Sequence, residues 1–299
     1  MRHSIWIKEV RAPFLLLPVV IVPVGVAMAL DSGSFNLLNA LLVFVGALSL
    51  HASVNVLNDY FDFRSGIDIA TTPTPFSGGS RVLPANEMTP SNVLYGGILF
   101  LAIGVGIGAY FLVESAFNPI LAGILAVVVV SVVGYSTVVS RLGLGEFAAG
   151  LNFGPLLVLG TYYIQTGTLA LQPLFIGTTL GLLVAGILYI NEFPDTVADE
   201  KSGRRHLVIQ WGKRKAASRF RVLIASAYAV VVVGVAAGIV TPLALISLLA
   251  LPKAWSGTKV LSQNYDKTME LIPGMASTVM ATLLTGVLLF VAYLLLHFI

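Results

Sequence analysis

Two clusters of acidic and amide side chains stand where long apolar segments of the chain end. The first is Asn55-Val-Leu-Asn58-Asp59-Tyr-Phe-Asp62, and the second, Asn191-Glu192-Phe-Pro-Asp195-Thr-Val-Ala-Asp199, begins about 135 residues later. Carboxylates are rare in membrane segments unless they are paired, hydrated or bound to a cation. We therefore expect the two clusters to face each other across a helix bundle and to hold divalent metal for a diphosphate ligand.

Helical spacing would put the polar residues of each cluster on one helix face, because residues four or seven positions apart share a face. A solvated helix end would explain a single Asp, but it poorly explains amides inside or at the edge of an apolar run. The spacing therefore favours a ligand site. The residues concerned are His51, Asn55, Asn58 with Asp59, and Asp62 in the first cluster, and Asn191, Asp195 and Asp199 in the second.

The donor types indicate which metal such a site would bind. The chain has no Cys, and carboxylate and amide oxygens with one nearby His favour hard cations over Zn²⁺. Mg²⁺ typically combines one or two protein carboxylates with substrate phosphates and water. We expect two Mg²⁺ ions, with Mn²⁺ as the alternative metal.

A diphosphate also needs positive charge from the protein. Arg81 follows Phe76-Ser-Gly-Gly-Ser80, a segment flexible enough to wrap a phosphate. The alternative is that the basic residues only set membrane topology, and we interpret the run that includes Arg204 and Arg205 as a contact with surface lipid or a topology signal. The candidates for diphosphate binding are Arg11, Arg64, Arg81, Arg141 and Lys201, together with Asn191.

Composition identifies a polytopic membrane protein. The 299 residues are 57% hydrophobic and 10% charged, whereas soluble domains carry about 25% charged residues. A span needs about 20 apolar residues, which predicts an all-α bundle of nine transmembrane helices. The eighth is short, and a re-entrant or kinked segment is its alternative. The predicted spans are 12–30, 37–58, 91–112, 118–139, 146–164, 173–194, 217–240, 241–252 and 275–298.

Charge placement predicts the orientation in the cell membrane. All 17 Lys and Arg lie before the first span, in the connections after even-numbered spans, or at their edges. By the positive-inside rule the N-terminus and these connections are cytoplasmic, and the C-terminus at Ile299 is outside. We expect one domain over 1–299 whose active site, at the cytoplasmic end, is capped by loops 63–90 and 195–216. Residues 1–30 lack a small-residue cleavage site, so we expect a first helix rather than a signal peptide.

The paired motifs resemble those of the UbiA superfamily of intramembrane prenyltransferases. The similar features are Asn55-x-x-Asn58-Asp59-x-x-Asp62 followed by Asp68, and Asp195-x-x-x-Asp199. The resemblance implies nine helices and transfer of an isoprenyl group from an allylic diphosphate to a lipid-soluble acceptor. Segments 58–62, 78–84, 143–147, 153–155 and 203–208 look like the branch that prenylates 1,4-dihydroxy-2-naphthoate.

Carried over by position, the resemblance assigns roles to individual residues. Two departures affect it: Arg11-Ala12-Pro13 replaces the usual Arg-Pro, and Pro194 should kink the sixth span by freeing the carbonyl of Ile190. The metal site would comprise Asn58, Asp62, Asp195 and Asp199, supported by Asp59 and Asp68; Arg11 and Arg81 would contact the diphosphate; Asp62, Asp195, Asp199 and Arg81 would be catalytic; and Tyr135, Ser140, Asn55 and His51 would bind the acceptor.

These patterns predict a prenyltransferase, a transferase of alkyl or aryl groups other than methyl, that acts in quinone synthesis through an allylic carbocation. The alternative acceptors are 4-hydroxybenzoate and geranylgeranylglyceryl phosphate. A secondary transporter is the non-enzyme alternative, but the acids lie at one end of the spans rather than at the midplane. We expect a polyprenyl diphosphate, a lipophilic acceptor and membrane lipids as partners, with no nucleic acid and no protein partner inferred.

Overall fold

A computed structural model describes residues 2–298, and within that range the chain forms helices and no strand. This confirms the all-α class; the predicted position of Ile299 lies outside the described residues. The helices are α1 (Arg2–Glu9), α2 (Leu16–Asp31), α3 (Leu37–Ser65), α4 (Ile67–Ala70), α5 (Pro90–Glu114), α6 (Pro119–Leu142), α7 (Gly145–Thr166), α8 (Leu171–Lys201), α9 (Leu207–Trp211), α10 (Lys213–Ala236), α11 (Leu251–Asn264) and α12 (Thr268–His297).

Seven helices in the described part of the chain are long and apolar enough to cross a membrane, namely α3, α5, α6, α7, α8, α10 and α12. The first predicted span corresponds to α2, an apolar helix of 16 residues. The eighth corresponds to a 3₁₀-helical segment, Pro242–Ala250, that continues directly into α11. Each predicted span therefore falls on a helix, and the count of nine crossings remains a prediction.

Several predicted boundaries are wrong. The eighth segment ends at Asn264 rather than at 252, because its lysines, Lys253 and Lys259, lie within the helix and not in a connection. The predicted loop 195–216 begins only after Lys201, since α8 runs on past Pro194. A proline removes one helical hydrogen bond, and the bonds of the neighbouring turns remain. The predicted loop 63–90 likewise contains the end of α3 and all of α4.

Helix α8 is the centre of the bundle. Its residues Ile176 and Leu180 pack with α2, α7 and α12 in one buried core, and its Tyr189 and Phe193 pack with α10, α11 and α12 in another. Small residues let α7 approach it closely: a Cβ added at Gly154 would lie 2.3 Å from the carbonyl oxygen of Gly177. Close backbone approach through Gly is a common way to pack membrane helices. This packing fixes the face of α8 that carries the second acidic cluster.

The outer surface of the bundle is apolar. Large side chains such as Leu38, Leu99 and Val130 are more than half exposed, and they lie on α3, α5 and α6. A soluble monomer rarely exposes contiguous apolar surface of this extent. Together with the seven candidate spans, this surface is that of an integral membrane protein.

Cysteine labelling would test the predicted orientation, because the chain has no native Cys. Glu114, Thr168 and Glu200 are all exposed in the structure. We expect Glu114→Cys and Thr168→Cys in intact cells to react with a membrane-impermeant maleimide, and Glu200→Cys to react only after lysis. Labelling of Glu200→Cys in intact cells would place the acidic clusters on the outer side and contradict the orientation.

Candidate active site

A cavity of about 380 Å³ opens between α3, α5, α6, α7 and α8. Its polar end contains residues of both acidic clusters, including Asn58, Asp62, Asp195 and Asp199. Apolar residues line the rest of the cavity, among them Phe111 and Ile164, which lie near the C-terminal ends of α5 and α7. The fold thus brings two distant acidic clusters to one end of a largely apolar channel.

The first acidic group comes from the end of α3 and from α4. Asp59 and Asp62 are buried on α3, which ends where Gly66 takes a φ of 79°, a left-handed conformation suited to glycine. This turn brings buried Asp68 beside them. Arg11 donates a hydrogen bond to Asp59, and its Nη2 lies 3.4 Å from Asn58 Oδ1. The group is therefore crowded with negative charge, and the Arg11 guanidinium neutralises part of it.

A glycine loop covers this group. Gly78 and Gly79 have φ values of 84° and 75°, and a Cβ at Gly79 would lie 3.0 Å from Asp68 Oδ1. The next backbone amide, that of Ser80, donates to Asp59 Oδ2 at 2.8 Å. The loop can approach the carboxylates this closely because glycine has no side chain. Its backbone therefore forms part of the wall of the site.

The second acidic group lies along one face of α8. Asn191, Asp195 and Asp199 all line the cavity, as the spacing of four predicts. Asn191 Oδ1 and Asp195 Oδ1 are buried and have no hydrogen-bond partner among the described residues, although the backbone of Gly78 interacts with the Asp195 carboxylate. Buried polar atoms normally have a partner. These two oxygens are thus free to bind a ligand in the cavity.

Arg204 joins the two acidic groups. Its Nη1 donates to Asp199 Oδ1 at 3.0 Å, and its Nη2 donates to Asp62. The turn after α8 positions it: Gly203 has a φ of 87°, and the Arg204 amide donates to the Asp199 carbonyl at 3.0 Å. The contact with surface lipid predicted for Arg204 is wrong, because its side chain is only 16% exposed. The two acidic groups lie within the span of one guanidinium.

The charges near the cavity shift one another's pKa values. Burial raises the pKa of Asp68 to about 7, and the neighbouring Asp59 and Asp62 add to this effect. Burial and Asp59 likewise raise the pKa of Glu9 to about 7. Burial opposes the charge of Arg204, but Asp62 and Asp199 raise its pKa above the ordinary value. The acids are thus crowded enough to favour any added cation.

The residues predicted to bind the acceptor also line the cavity. His51 packs edge-on against Phe153, with ring centroids 4.5 Å apart. Asn55 donates through Nδ2 to the Val10 carbonyl at 3.0 Å. Tyr135 begins a π-helical turn in α6, and Ser140 follows that turn. The structure therefore puts all four residues along the same cavity as the acids.

Four of the basic residues predicted to bind diphosphate do not line this cavity. Arg64 is exposed and donates to the Tyr60 hydroxyl at 3.3 Å. Arg141 and Lys201 are also exposed. Arg81 is half-buried, has a φ of 65° and donates to the backbone carbonyl of Asp68. In this structure Arg81 holds the α4 segment in place, and Arg11 is the predicted cation that reaches the site.

Sequence reasoning missed a second buried cluster, formed by Glu146, Glu192 and His206. One ligand atom from each lies within 4.8 Å of the others, and Glu192 and His206 line the cavity. The segment that carries Glu146 can lie against the segment that carries His206 because residue 143 is glycine. A Cβ at Gly143 would lie 2.3 Å from the Arg205 carbonyl oxygen. The only signal for this cluster in the sequence was the presence of glycine in segments 143–147 and 203–208. These two segments are in contact in the folded chain.

Removal of Arg204 should destabilise the protein. Arg204→Leu leaves two buried carboxylates without their shared cation, and breaking a buried pair in this way costs about 3 kcal/mol. We expect a clearly lower midpoint of thermal unfolding in detergent. Arg205→Leu is the matched control, because Arg205 is exposed and adjacent in sequence. Equal midpoints for the two variants would contradict the bridging role.

Comparison with known proteins shows which named enzymes the chain is similar to. The chain is 28% identical to the 1,4-dihydroxy-2-naphthoate octaprenyltransferase of Bacillus subtilis, over 92% of this chain and 87% of that protein. It is 29% identical to the enzyme of the same name from Mycobacterium tuberculosis, over 84% and 85%. Both relatives are named as enzymes that transfer an octaprenyl group.

A solved structure shows the shared fold, and a sequence profile shows the family. A UbiA homologue from Archaeoglobus fulgidus, solved with DMAPP and Mg²⁺, superimposes with a TM-score of 0.64 at 15% identity, over 95% of this chain and 98% of that one. That likeness shows a shared fold. The profile of the UbiA prenyltransferase family matches residues 20–278. The chain therefore belongs to the UbiA prenyltransferase family and is a membrane-embedded prenyltransferase.

Proposed function

We propose that this enzyme transfers a long isoprenyl group from an allylic polyprenyl diphosphate to 1,4-dihydroxy-2-naphthoate, with Mg²⁺. The observation that carries the proposal is the shape of the cavity: two acidic groups converge at one end of a channel that is otherwise apolar. A diphosphate with a long hydrocarbon tail has this same division of polar and apolar parts. The relatives named as dihydroxynaphthoate octaprenyltransferases support the choice of acceptor.

The polar end fits Mg²⁺. Its donors are carboxylate and amide oxygens, which hard cations prefer, and Asp195 Oδ1 is buried without a partner among the described residues. We propose Asn58, Asp62, Asp195 and Asp199 as the residues that hold the metal, with Asp59 and Asp68 in support. When bound, Mg²⁺ supplies positive charge that stabilises the departing diphosphate. Two ions, or Mn²⁺ in place of Mg²⁺, remain part of the prediction.

Protein groups would supply the rest of the diphosphate site. Arg11 and Arg204 line the cavity beside the acids, so both guanidinium groups can reach a diphosphate held there. The Gly78–Gly79 backbone covers the same end of the cavity and would exclude water from it. Exclusion of water would protect an allylic cation from hydrolysis. We propose no diphosphate contact for Arg64, Arg141 and Lys201, because their side chains are exposed away from the cavity.

The apolar channel would hold the tail. Residues of α3 line it from Val43 to Asp62, a length of about 28 Å at 1.5 Å per residue. Leu125 and Val128 of α6 and Gly160 of α7 form part of its wall. A channel this long suits a donor of many isoprene units. Short donors would leave much of its apolar surface unfilled.

The proposed transfer needs no added base, because every bond that breaks has a group to take its electrons. The bond between the donor's first carbon and its diphosphate oxygen breaks, and the diphosphate leaves with both electrons. The electron-rich ring carbon that bears the carboxylate bonds to the resulting allylic cation. The carboxylate then leaves as CO₂, and its bonding pair returns to the ring, which restores aromaticity. We place this chemistry on the cytoplasmic side, as the charge pattern predicts.

Substitution of the acids should abolish transfer. Asp62→Asn and Asp195→Asn each remove one carboxylate from a different acidic group, so we expect kcat/KM for the prenyl donor to fall at least 100-fold. Glu200→Gln is the matched control, because Glu200 is exposed and follows Asp199; it should keep near-normal activity. Activity of Asp195→Asn equal to that of the control would overturn the proposed metal site.

A bulky side chain in the channel should make the enzyme accept only shorter prenyl donors. A Cβ at Gly160 would meet Ile124 at 3.8 Å, an ordinary contact, so Gly160→Phe should fold and occupy the channel. We expect kcat/KM for an octaprenyl donor to fall at least tenfold, and kcat/KM for geranyl diphosphate to change little. Gly123→Phe is the control, because Gly123 is exposed on α6. An equal loss with both donors would argue against tail binding at this position.

The acceptor can be identified from the products. With carboxyl-labelled 1,4-dihydroxy-2-naphthoate, we expect one labelled CO₂ for each prenyl group transferred. With 4-hydroxybenzoate or geranylgeranylglyceryl phosphate as the only acceptor, we expect little turnover. Turnover only with geranylgeranylglyceryl phosphate would overturn the naphthoate assignment and leave the prenyltransferase assignment intact.

A further inference from the structure

The buried cluster of Glu146, Glu192 and His206 forms a polar recess in the cavity wall. The three residues are 4%, 8% and 5% exposed, so all are more than nine-tenths buried. His206 Nδ1 lies 3.5 Å from Glu192 Oε2, and the Leu207 amide donates to Glu146 Oε1 at 2.8 Å. Segments from three parts of the chain thus meet around one imidazole and two carboxyl groups.

Much of the hydrogen-bonding capacity of this recess is unused. Glu146 Oε2, Glu192 Oε2 and both ring nitrogens of His206 are buried, and among residues 2–298 none makes a hydrogen bond of good geometry. The ring nitrogens have only longer contacts, of 3.5 Å to Glu192 and 3.4 Å to Asp199. A buried polar atom without a good hydrogen bond destabilises a structure, because it has lost its interactions with water. The contacts within the recess therefore satisfy these atoms only in part, and a ligand with a hydroxyl group would complete their hydrogen bonding. Because Glu192 and His206 line the cavity, a ligand in the cavity can reach them.

The recess lies next to residues predicted to bind the acceptor and also next to the second acidic group. Tyr135, Ser140 and Gly145 line the same cavity, and a Cβ at Gly145 would lie 3.4 Å from the Tyr135 hydroxyl. On the other side, His206 Nε2 lies 3.4 Å from Asp199 Oδ2. A molecule that contacts Glu192 would therefore sit next to the diphosphate end of the cavity, where an acceptor must be.

We propose that Glu192 binds a hydroxyl group of the aromatic acceptor, with Glu146 and His206 supporting it. This inference rests on the proposed function. Carboxylate oxygens accept hydrogen bonds, and a phenolic O–H donates one. Arg11 and Arg204 line the same cavity, so the acceptor's own carboxylate would point away from the recess and toward one of these two cations. The recess thereby selects hydroxylated aromatics and fixes their orientation.

The role of Glu192 is binding rather than proton removal. Loss of CO₂ leaves its electron pair on the ring, so no hydroxyl proton has to be transferred during the reaction. A buried hydrogen bond from the hydroxyl to a Glu192 carboxyl oxygen would still stabilise the bound acceptor. Removing it should therefore weaken acceptor binding more than it slows the reaction of bound substrates.

Acceptor analogues combined with Glu192 variants test this proposal. In wild-type enzyme, we expect one of the two monomethyl ethers of 1,4-dihydroxy-2-naphthoate to have a KM at least tenfold above that of the parent compound. In Glu192→Leu, the KM for 1,4-dihydroxy-2-naphthoate should rise at least tenfold, and the monomethyl ether that wild-type enzyme disfavours should have a KM no higher than that. The KM for the prenyl diphosphate should stay within twofold. Glu192→Gln, which keeps an acceptor oxygen, should recover most of the parent's affinity.

Controls separate this role from others. Glu200→Leu, on the exposed side of the same helix, should change neither KM, and binding of the prenyl diphosphate would report folding of each variant. An unchanged acceptor KM in Glu192→Leu, or equal use of both ethers by wild-type enzyme, would overturn the proposal without affecting prenyl transfer. Stoichiometric transition metal in purified wild-type protein, lost in Glu192→Leu, would also overturn it. Failure of wild-type enzyme to use any hydroxylated aromatic would instead overturn the proposed function.

Discussion

Repulsion among buried carboxylates is the constraint on which the rest of the structure depends. Asp62 and Asp199 are buried at one end of the cavity, with buried Asp59 beside them, and the low dielectric there strengthens their mutual repulsion. Arg11 and Arg204 offset part of this charge through direct ion pairs. Oxygens such as Asp195 Oδ1 remain without a partner among the described residues. Such an arrangement is strongly biased toward binding more positive charge.

The fold meets this constraint with a rigid helix and three glycine turns. Helix α8 is packed on several sides, which fixes the face that carries Asp195 and Asp199. The turns at Gly66 and Gly203 bring Asp68 and Arg204 back toward the ends of their helices. Gly143 lets the segment after α8 lie against the start of α7. Polar groups from distant parts of the sequence therefore converge, and the apolar helices supply the channel that leads to them.

Periodicity predicted the parts of the site that lie on long helices. The spacing of four put Asn191, Asp195 and Asp199 on one face, and all three line the cavity. The all-α class and the family followed from hydropathy and from the paired motifs. The short eighth segment was harder to delimit, because Lys253 and Lys259 interrupt its apolar pattern.

Turn geometry and side-chain direction could not be predicted from hydropathy, helical spacing or charge placement. Arg204 belongs to a basic run that obeys the positive-inside rule, so its charge alone did not separate it from exposed Arg205. The separation comes from the turn at Gly203, which directs only one of the two side chains inward. Glu146 and His206 meet only because two glycine-containing segments touch in the folded chain. Contacts between segments that far apart require the tertiary structure.

Binding of an unreactive prenyl thiolodiphosphate tests the central claim most directly, namely that the two acidic groups need added cations to hold a diphosphate. Calorimetric titration of wild-type protein in detergent should give at least 100-fold tighter binding with Mg²⁺ than with EDTA. In Asp195→Asn, whose neighbours Asn191 and Asp199 are intact, the effect of Mg²⁺ should largely disappear. Equally tight binding by wild-type protein in EDTA would mean that the arginines alone neutralise the diphosphate, and would contradict the account.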